Sequence, residues 1–479
     1  MDADDAALLT AFSRLMQQAS EHTAAGDPRL TQLGELIREH LGTVPTELPT
    51  VTERFPPHRL VDVDIALDEL AGDEGEIVGV RGGQHLRHED FAGHLASTYA
   101  AVSAGPVAYV SVPSGPRTSR RTVARAVRLF RFDGAAVALF QRAADPEYGR
   151  NGASVEILTD TPDRATALVG EIHRLMNERS IVRGNVVSFS PGEYGESIVG
   201  GMAFLERPVV PADEVILPDG LLDRIRAHVV GIGERADALR ARGQHLKRGI
   251  LMYGPPGTGK TLTVRHLLHA TPGTTAVLLQ GSALQLIGEA ARLARAMSPA
   301  IVVLEDVDLV AAERGDFGLQ PLLFEVLDAL DGLDGDADVA FLLTTNRAEI
   351  LEPALAARPG RVDLAIEVPL PDLNARKKLF QVYGGELPFS AGALDAAAEQ
   401  AEGITASFVK EVVRRAVLAA VTEDREVGDP DLGTALNEML ESTRGISRVL
   451  FGGQAAEDAG GEPDAEHVGS FGYVPLHHH

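Results

Sequence analysis

A glycine-rich turn between an apolar run and a helical pattern constrains this sequence more than any other feature. The segment GILMYGPPGTGKT occupies residues 249–261. Glycines carry no Cβ, so the backbone can adopt positive φ angles and turn successive N–H groups toward one phosphate. The helix that follows adds its positive N-terminal end. The segment therefore predicts a binding loop for a nucleoside triphosphate, placed between a strand and a helix.

Side chains of this loop have separate predicted tasks. Lys260 supplies a cation that reaches the β and γ phosphates, and the Thr261 hydroxyl lies at ligand distance from Mg²⁺. Pro255 and Pro256 stiffen the entry to the loop. The predicted cofactors are therefore ATP and Mg²⁺. The predicted nucleotide-binding residues are Gly254, Pro255, Pro256, Gly257, Thr258, Gly259, Lys260, Thr261 and Leu262.

Two further apolar runs, AIVVLEDVD at 300–308 and VAFLLTTNR at 339–347, predict strands buried on both faces of a parallel sheet. Ligands bind such sheets at the carboxyl ends of the strands. Because neighbouring side chains of a strand point to opposite sides, Glu305 is expected to hold the metal with Thr261, and Asp306 to face the attacking water. The Asn346 amide is expected to orient that water or to contact the γ phosphate.

Four motifs, GPPGTGKT, LEDVD, TTNR and ARPGRVD, occur in this order, and together they resemble the AAA family of AAA+ ATPases. The resemblance spans roughly residues 216–440. It implies an α/β fold in which a phosphate-loop parallel sheet is followed by a small helical lid. It also implies a homo-oligomeric ring, usually a hexamer, that hydrolyses ATP with Mg²⁺. By the same resemblance, Arg358 and Arg361 are arginine fingers that reach the ATP of a neighbouring subunit.

Two features depart from the family pattern. The acidic pair is Glu305-Asp306, whereas most of the family has aspartate before glutamate; the order here resembles that of the branch of the mitochondrial Rieske-protein translocase, which uses ATP. The segment 281–299 is short and lacks the aromatic-glycine pore loop, leaving Leu286 and Ile287 as its apolar candidates. Phe317 is either a pore residue or an ordinary loop phenylalanine. Threading of a chain through a central pore is therefore in question.

The region before the phosphate loop predicts a separate α/β or α+β domain, because short apolar runs alternate with helical patterns. A proline-rich segment without periodicity precedes it and is interpreted as a linker. The glycine-rich, acidic C-terminal segment predicts a disordered tail. The expected organisation is a helical pair at 1–43, a linker at 44–59, the N-terminal domain at 60–210, the large ATPase subdomain at 211–372, the helical lid at 373–451 and the tail at 452–479.

The arginine-rich part of the N-terminal domain admits more than one interpretation. The segment 111–121 contains a Ser-Gly-Pro turn without GK[ST], which favours a plain helix N-terminus over a second phosphate loop. A helix over 119–130 would then display arginines either to solvent or to nucleic acid or an acidic protein. The five arginines are Arg120, Arg121, Arg125, Arg128 and Arg131.

The charge and residue composition of the chain limit the classes of partner and the types of site that we expect. The formal net charge is -25, so the chain as a whole repels a phosphate backbone and nucleic acid is disfavoured. The sequence contains no cysteine, which excludes disulfides and thiolate metal sites. An acidic N-terminus and the lack of a long apolar run argue against a secretory signal or a membrane span, and a cytoplasmic location is expected.

These features predict a ring-forming ATPase that remodels, unfolds or disassembles a protein captured by the 60–210 domain. Two alternatives stay open. One is a nucleotide-gated assembly scaffold, in which hydrolysis is weak because Asp306 reaches less far than a glutamate. The other is a translocase for folded proteins, which fits the lack of an aromatic pore loop.

Overall fold

A computed structural model describes residues 29–82, 89–97, 101–189, 201–308, 337–347 and 362–451 of the chain. The chain divides into two compact units, Met1–Pro369 and Leu370–His479. The first half of the predicted helical pair and the predicted tail lie outside the described residues. None of the helices in the described ranges has the length and apolar character that crossing a membrane requires.

Within the described ranges, the first sheet of the first unit has seven strands, all paired antiparallel, in the order β2-β9-β8-β7-β3-β5 with β6 on β7. We call it the N-terminal sheet. A two-stranded ribbon of β1 and β4 accompanies it. The strands are β1 Arg29–Leu30, β2 Thr50–Phe55, β3 Glu76–Arg81, β4 Ala96–Ser97, β5 Ser103–Gly105, β6 Ala108–Gly115, β7 Thr118–Phe132, β8 Ala135–Arg142 and β9 Ala153–Leu158. The helices are α1 Gln32–Leu41, α2 Leu60–Ala71, α3 Phe91–Leu95 and α4 Pro162–Glu178.

Helices cover both faces of this N-terminal sheet. On one face, α2 and α4 pack against Leu139 and Ile157; on the other, α1 and α3 pack against Ala138 and Phe140. Successive residues of a strand thus enter different cores, as the pleat requires. The domain has its own core on each side of the sheet, in agreement with the predicted mixed class.

The segment predicted as a linker at 44–59 contains strand β2, which pairs with β9 along its full length. The linker prediction is therefore wrong. Val51 and Phe55 turn toward the core under α4, whereas Thr50, Thr52 and Arg54 are exposed. Prolines flank this strand rather than interrupt it, so the proline content hid a strand at the edge of the sheet.

The predicted helix over 119–130 is also wrong, because β6 and β7 form an antiparallel hairpin that turns between Gly115 and Thr118. The 111–121 segment is therefore neither a phosphate loop nor a helix N-terminus. Arg128, with 1% of its surface exposed, pairs with Asp64 and Asp68 at 2.7 Å each. At this position the arginine satisfies acids of α2 instead of facing solvent or a partner.

The second sheet of the first unit, which we call the ATPase sheet, has seven strands among the residues that the structure describes, in the order β11-β10-β13-β14-β15-β12-β16. All of its pairs are parallel except the antiparallel β10–β11 hairpin. Its strands are β10 Val186–Phe189, β11 Met202–Leu205, β12 Arg248–Tyr253, β13 Thr275–Gln280, β14 Ala300–Glu305, β15 Val339–Thr345 and β16 Leu364–Glu367. Its helices are α5 Leu221–Glu234, α6 Ala236–Arg240, α7 Lys260–His269 and α8 Ile287–Ala296.

This arrangement confirms the predicted parallel sheet and corrects one boundary. The predicted division between 210 and 211 assigns β10 and β11 to the N-terminal domain. In the structure β10 pairs in parallel with β13, so the hairpin extends the second sheet. The apolar pattern of β10 indicated a strand, but pairing partners are set by tertiary structure and are not readable from a short run.

In the part of the second unit that the structure describes, the regular elements are all helices, as predicted for the lid region. Its helices begin at capping side chains: Asp372 accepts a hydrogen bond from the Ala375 amide at 2.8 Å, and Ser390 and Thr405 cap the next two helices. Phe380 and Val412 are fully buried in its core. The helices are α9 Leu373–Gly384, α10 Ala391–Gln400, α11 Ala406–Thr422 and α12 Asp429–Phe451.

Candidate active site

The loop between β12 and α7 has the backbone that the sequence predicts. Gly254, Gly257 and Gly259 have φ angles of 143°, 78° and 107°, which side chains with a Cβ rarely adopt. At Gly254 a Cβ would also lie 2.3 Å from the Val368 carbonyl oxygen of the neighbouring chain segment. Glycine is therefore required here both by conformation and by space, and the loop curls around the start of α7.

Lys260 is the first residue of α7, and its side chain folds over this loop. Its Nζ donates hydrogen bonds to the carbonyls of Gly254 at 2.8 Å and Pro255 at 2.9 Å. Burial lowers the pKa of the ammonium, whereas the carboxylates of Asp306 and Asp308 raise it. The cation therefore lies between the loop and the acids that follow β14, where it can contact both a phosphate and the reacting centre.

Glu305 ends β14 and is buried, with 9% of its surface exposed. Gln280, at the end of the adjacent β13, donates a hydrogen bond to this carboxylate, and Thr261 contacts it as well. Burial raises the pKa of Glu305, the Gln280 hydrogen bond opposes that effect, and Asp306 adds to it. A nearby divalent cation would stabilise the ionised form of such a carboxyl group.

Asp306 leaves the strand in the left-handed region, with φ at 50°. Its amide donates to Thr344 Oγ1 at 3.0 Å, and the Asn346 side-chain amide donates to its Oδ1 at 3.3 Å. The expectation that strand alternation separates the two acids is corrected, because the strand stops at Glu305. The acids still contact different groups, and the left-handed turn separates them; this conformation is less costly for aspartate than for most residues.

Asp308 is a site residue whose role the sequence interpretation missed. Its carboxylate is buried and accepts hydrogen bonds from Thr345 Oγ1 at 2.9 Å and from the backbone N–H of Asn346 at 3.1 Å. It thus fixes the backbone that carries the Asn346 side chain toward Asp306. The LEDVD motif contained a signal, since a third acid follows the strand. The role of Asp308 depends on contacts with the end of the neighbouring strand β15, however, and the sequence alone does not say which strands are neighbours.

Several predicted residues are not brought to this site by the described structure. Arg358, Arg361 and Phe317 lie outside the described residues. Ile287, an apolar candidate for a pore position, is buried in the core under the sheet, and Leu286 packs partly against the same core. Ile287 is therefore not exposed for contact with a substrate, and Leu286 is half-buried.

The donor set fits Mg²⁺. This cation takes oxygen ligands and is commonly held by one or two carboxylates, a hydroxyl and the phosphates of a nucleotide. Thr261 and Glu305 offer a hydroxyl and a carboxylate that lie close to each other. Among the described residues there is no group of three or more histidines, cysteines or acids that could form an all-protein metal cage.

Comparisons with known proteins agree with this geometry. Residues 250–370 match the family described as ATPase family associated with various cellular activities (AAA). The proteasome-activating nucleotidase of Thermococcus onnurineus is 31% identical over 281 residues, covering 55% of this chain and 70% of that protein. The 26S proteasome regulatory subunit 8 of Caenorhabditis elegans is 34% identical over 211 residues, covering 40% and 50% respectively.

Proposed function

This chain belongs to the AAA family of ATPases, and from that premise we propose that it forms a ring in which ATP hydrolysis remodels or unfolds a protein substrate. It is an enzyme that binds and hydrolyses ATP. The observation that carries the proposal is the convergence of Lys260, Glu305, Asp306 and Asn346 at the carboxyl ends of neighbouring parallel strands. The relatives named for proteasome activation support a protein as the substrate.

We assign the chemical roles by contact. The backbone N–H groups of the non-proline residues of the loop and the Lys260 cation bind the phosphates. Thr261 and Glu305 would hold Mg²⁺, which when bound neutralises charge on the phosphates. Asp306 accepts the proton of the attacking water, and Asn346 orients that water. Its contact with Asp306 at 3.3 Å supports this pairing.

Arg358 and Arg361 complete the proposed site in trans, from the next subunit of a hexameric ring. An arginine finger can be worth several powers of ten in rate. We expect that subunits with Arg358→Ala, whose own phosphate loop is intact, regain turnover when mixed with Lys260→Ala subunits. Co-assembled mixtures that stay inactive would remove support for the trans assignment.

A cytoplasmic location of the chain stays a prediction.

The domain around the N-terminal sheet is the proposed docking domain for substrate, and the segment that follows α4 supports this role because it contacts the end of α8. The Arg183 guanidinium donates to the carbonyls of Ala296 at 3.1 Å and Ser298 at 2.9 Å, at the end of α8. Asp62 of α2 accepts hydrogen bonds from Ser180 and Ile181, just before Arg183. A movement of α8 during ATP turnover would therefore be passed to the N-terminal sheet.

The test is ATP turnover with and without a candidate protein, combined with capture by an Asp306→Asn variant. That variant is expected to bind ATP, assemble and retain its substrate, because it keeps the shape of the site without its basic carboxylate. ATP-dependent assembly without measurable turnover of the unmodified chain would overturn the proposal in favour of the assembly scaffold. Turnover without any response to proteins would also contradict it.

A further inference from the structure

A polar pocket of about 690 Å³ lies on the N-terminal sheet, on the face that α1 and α3 cover and beside the edge strand β2. This volume is typical of small-molecule sites. Val51 and Phe55 face the opposite core, so the alternate residues of β2 line the pocket. Neighbouring strands add Arg142, Ser154 and Glu156. The sheet here presents a group of polar side chains, whereas Ala138 and Phe140 on the same face are buried under α1 and α3.

The acids of this pocket already have protein donors. Glu156 accepts a hydrogen bond from the Phe91 amide at 2.7 Å through one oxygen, and from Arg142 through the other. Asp90 accepts from the Gly93 amide at 2.9 Å and so caps α3. Neither carboxylate therefore needs a cationic ligand.

The donors of the pocket are in excess. Arg54 is exposed and makes no ion pair among the described residues. The Ser154 hydroxyl, on a residue with 7% of its surface exposed, has no hydrogen-bond partner in the described structure, and neither does the buried Nε of Arg142. Buried polar groups without a partner are uncommon and costly, so a ligand that supplies the acceptor would be favoured in this pocket.

We propose that this pocket binds an anionic small molecule that carries a carboxylate or phosphate group. Arg54 supplies the unmatched cation, and the Ser154 hydroxyl supplies a donor on the floor of the pocket. Thr50 and Thr52 add hydroxyls along the edge strand. The site is separate from the ATP site, and its ligand would bind to the sheet that we assign to substrate docking.

The test uses the full chain with its phosphate loop filled beforehand by a non-hydrolysable ATP analogue. Inorganic phosphate and succinate are titrated separately by calorimetry, and at least one is expected to bind. Arg54→Gln should weaken that binding about tenfold or more, because a charge-assisted contact is lost. Ser154→Ala should weaken it about fivefold and leave the melting temperature of the ligand-free chain unchanged, because the hydroxyl has no partner to lose. The control is Arg131→Gln, an exposed arginine of the same sheet outside the pocket, which should not change the affinity.

Binding of phosphate alone supports a phosphate-bearing ligand, and binding of succinate alone supports a carboxylate. The proposal is overturned if neither probe binds with a dissociation constant below about 10 mM. It is also overturned if the Arg54→Gln and Ser154→Ala variants bind the probe as tightly as the unmodified chain does. ATP turnover of the Arg54→Gln variant should equal that of the unmodified chain. A loss of turnover in that variant would contradict the separation of the pocket from the ATP site, whereas the proposed ATPase role is tested elsewhere, at Asp306.

Discussion

The strands of the two sheets of the first unit have different sequence patterns: they are continuously apolar in the centre of the ATPase sheet and mixed in parts of the N-terminal sheet. In the ATPase sheet, β14 and β15 are buried along their whole length, because helices cover both faces of parallel strands. In the N-terminal sheet, β2 and β7 mix charged and apolar residues, and every pair is antiparallel. An uninterrupted apolar run therefore identifies a strand by itself, whereas a mixed strand is identified by its partners.

The sheets also differ in where their charges lie. In the ATPase sheet, Lys260, Glu305 and Asp306 collect at the carboxyl ends of strands, where a ligand can reach them. In the N-terminal sheet, Arg128 is buried in the interior against Asp64. Charges of the first kind are expected to matter for chemistry and those of the second kind for stability, and substitutions can test this distinction.

The largest expected effect is loss of nucleotide binding in Lys260→Ala. This change removes the cation that folds over the phosphate loop, and amides alone do not replace its charge. Direct binding of a fluorescent ATP analogue should fall below detection, while Lys410→Ala, an exposed lysine of the second unit, should bind normally. Near-normal affinity of the Lys260 variant would contradict the assignment of this cation to the phosphates.

The next effect concerns stability and belongs to the N-terminal sheet. Arg128→Leu removes the nearest cation from buried Asp64 and leaves only Arg120, whose Nε lies 3.7 Å away. Breaking the buried pair in this way costs about 3–5 kcal/mol of unfolding free energy. Arg131→Leu, an exposed arginine on the same strand, should change that free energy by no more than about 0.5 kcal/mol. Urea unfolding of both variants measures the difference.

A double variant sharpens this prediction. Arg128→Leu combined with Asp64→Leu removes both charges and should regain most of the lost stability, because no unpaired ion remains. If the two single arginine variants are equally stable, the buried pair has no special role and the distinction between the sheets is lost.

The sequence indicates the ATPase sheet well because its chemistry follows from local spacing. The phosphate loop and the acidic carboxyl end of β14 are each contained in one short segment. Asp308 was missed because its partners, Thr345 and Asn346, belong to another strand. The pairing of β10 with β13 was missed for the same reason: both contacts depend on the order of strands.

The N-terminal sheet was misread in two places for a different reason. In β2, prolines on either side suggested a linker, and in β7 the arginines suggested an exposed helix. Arg128 has its surface covered by Asp64, Asp68 and Gln141, which are distant in sequence. A charged residue is assigned to solvent by default, and only the tertiary contacts reveal that it is buried.

The third effect returns to the ATPase sheet and separates the two acids. Asp306→Asn should lower turnover by about 10² while ATP binding persists, because the amide keeps the shape but does not accept a proton. Glu305→Gln should instead weaken Mg²⁺-dependent nucleotide binding, since Glu305 contacts Thr261. Turnover and Mg²⁺-dependent affinity are measured for both variants, and normal hydrolysis by Asp306→Asn would reverse the assignment.

The smallest expected effect is a pH dependence of the unfolding free energy that arises from His58, where the N-terminal sheet's domain contacts α8. His58 lies 3.7 Å from Glu289 of α8, and its ring meets that of Phe189 edge-on. Burial lowers its pKa from 6.5 to about 4; Glu289 opposes this shift and Arg59 adds to it. The folded chain therefore keeps His58 neutral at a pH where the unfolded chain protonates it.

The stability associated with neutral His58 is fully present above pH 6.5 and is lost as the pH falls toward 4. At pH 5 the unfolding free energy should be lower than at pH 7 by about 2 kcal/mol from this group. His58→Gln should remove that part of the pH dependence, because glutamine does not titrate. His173→Gln, an exposed histidine near Glu53, should keep it. If both variants follow the pH profile of the unmodified chain, protonation of His58 does not weaken the contact between the N-terminal sheet and α8, and the coupling between the two sheets depends on Arg183 instead.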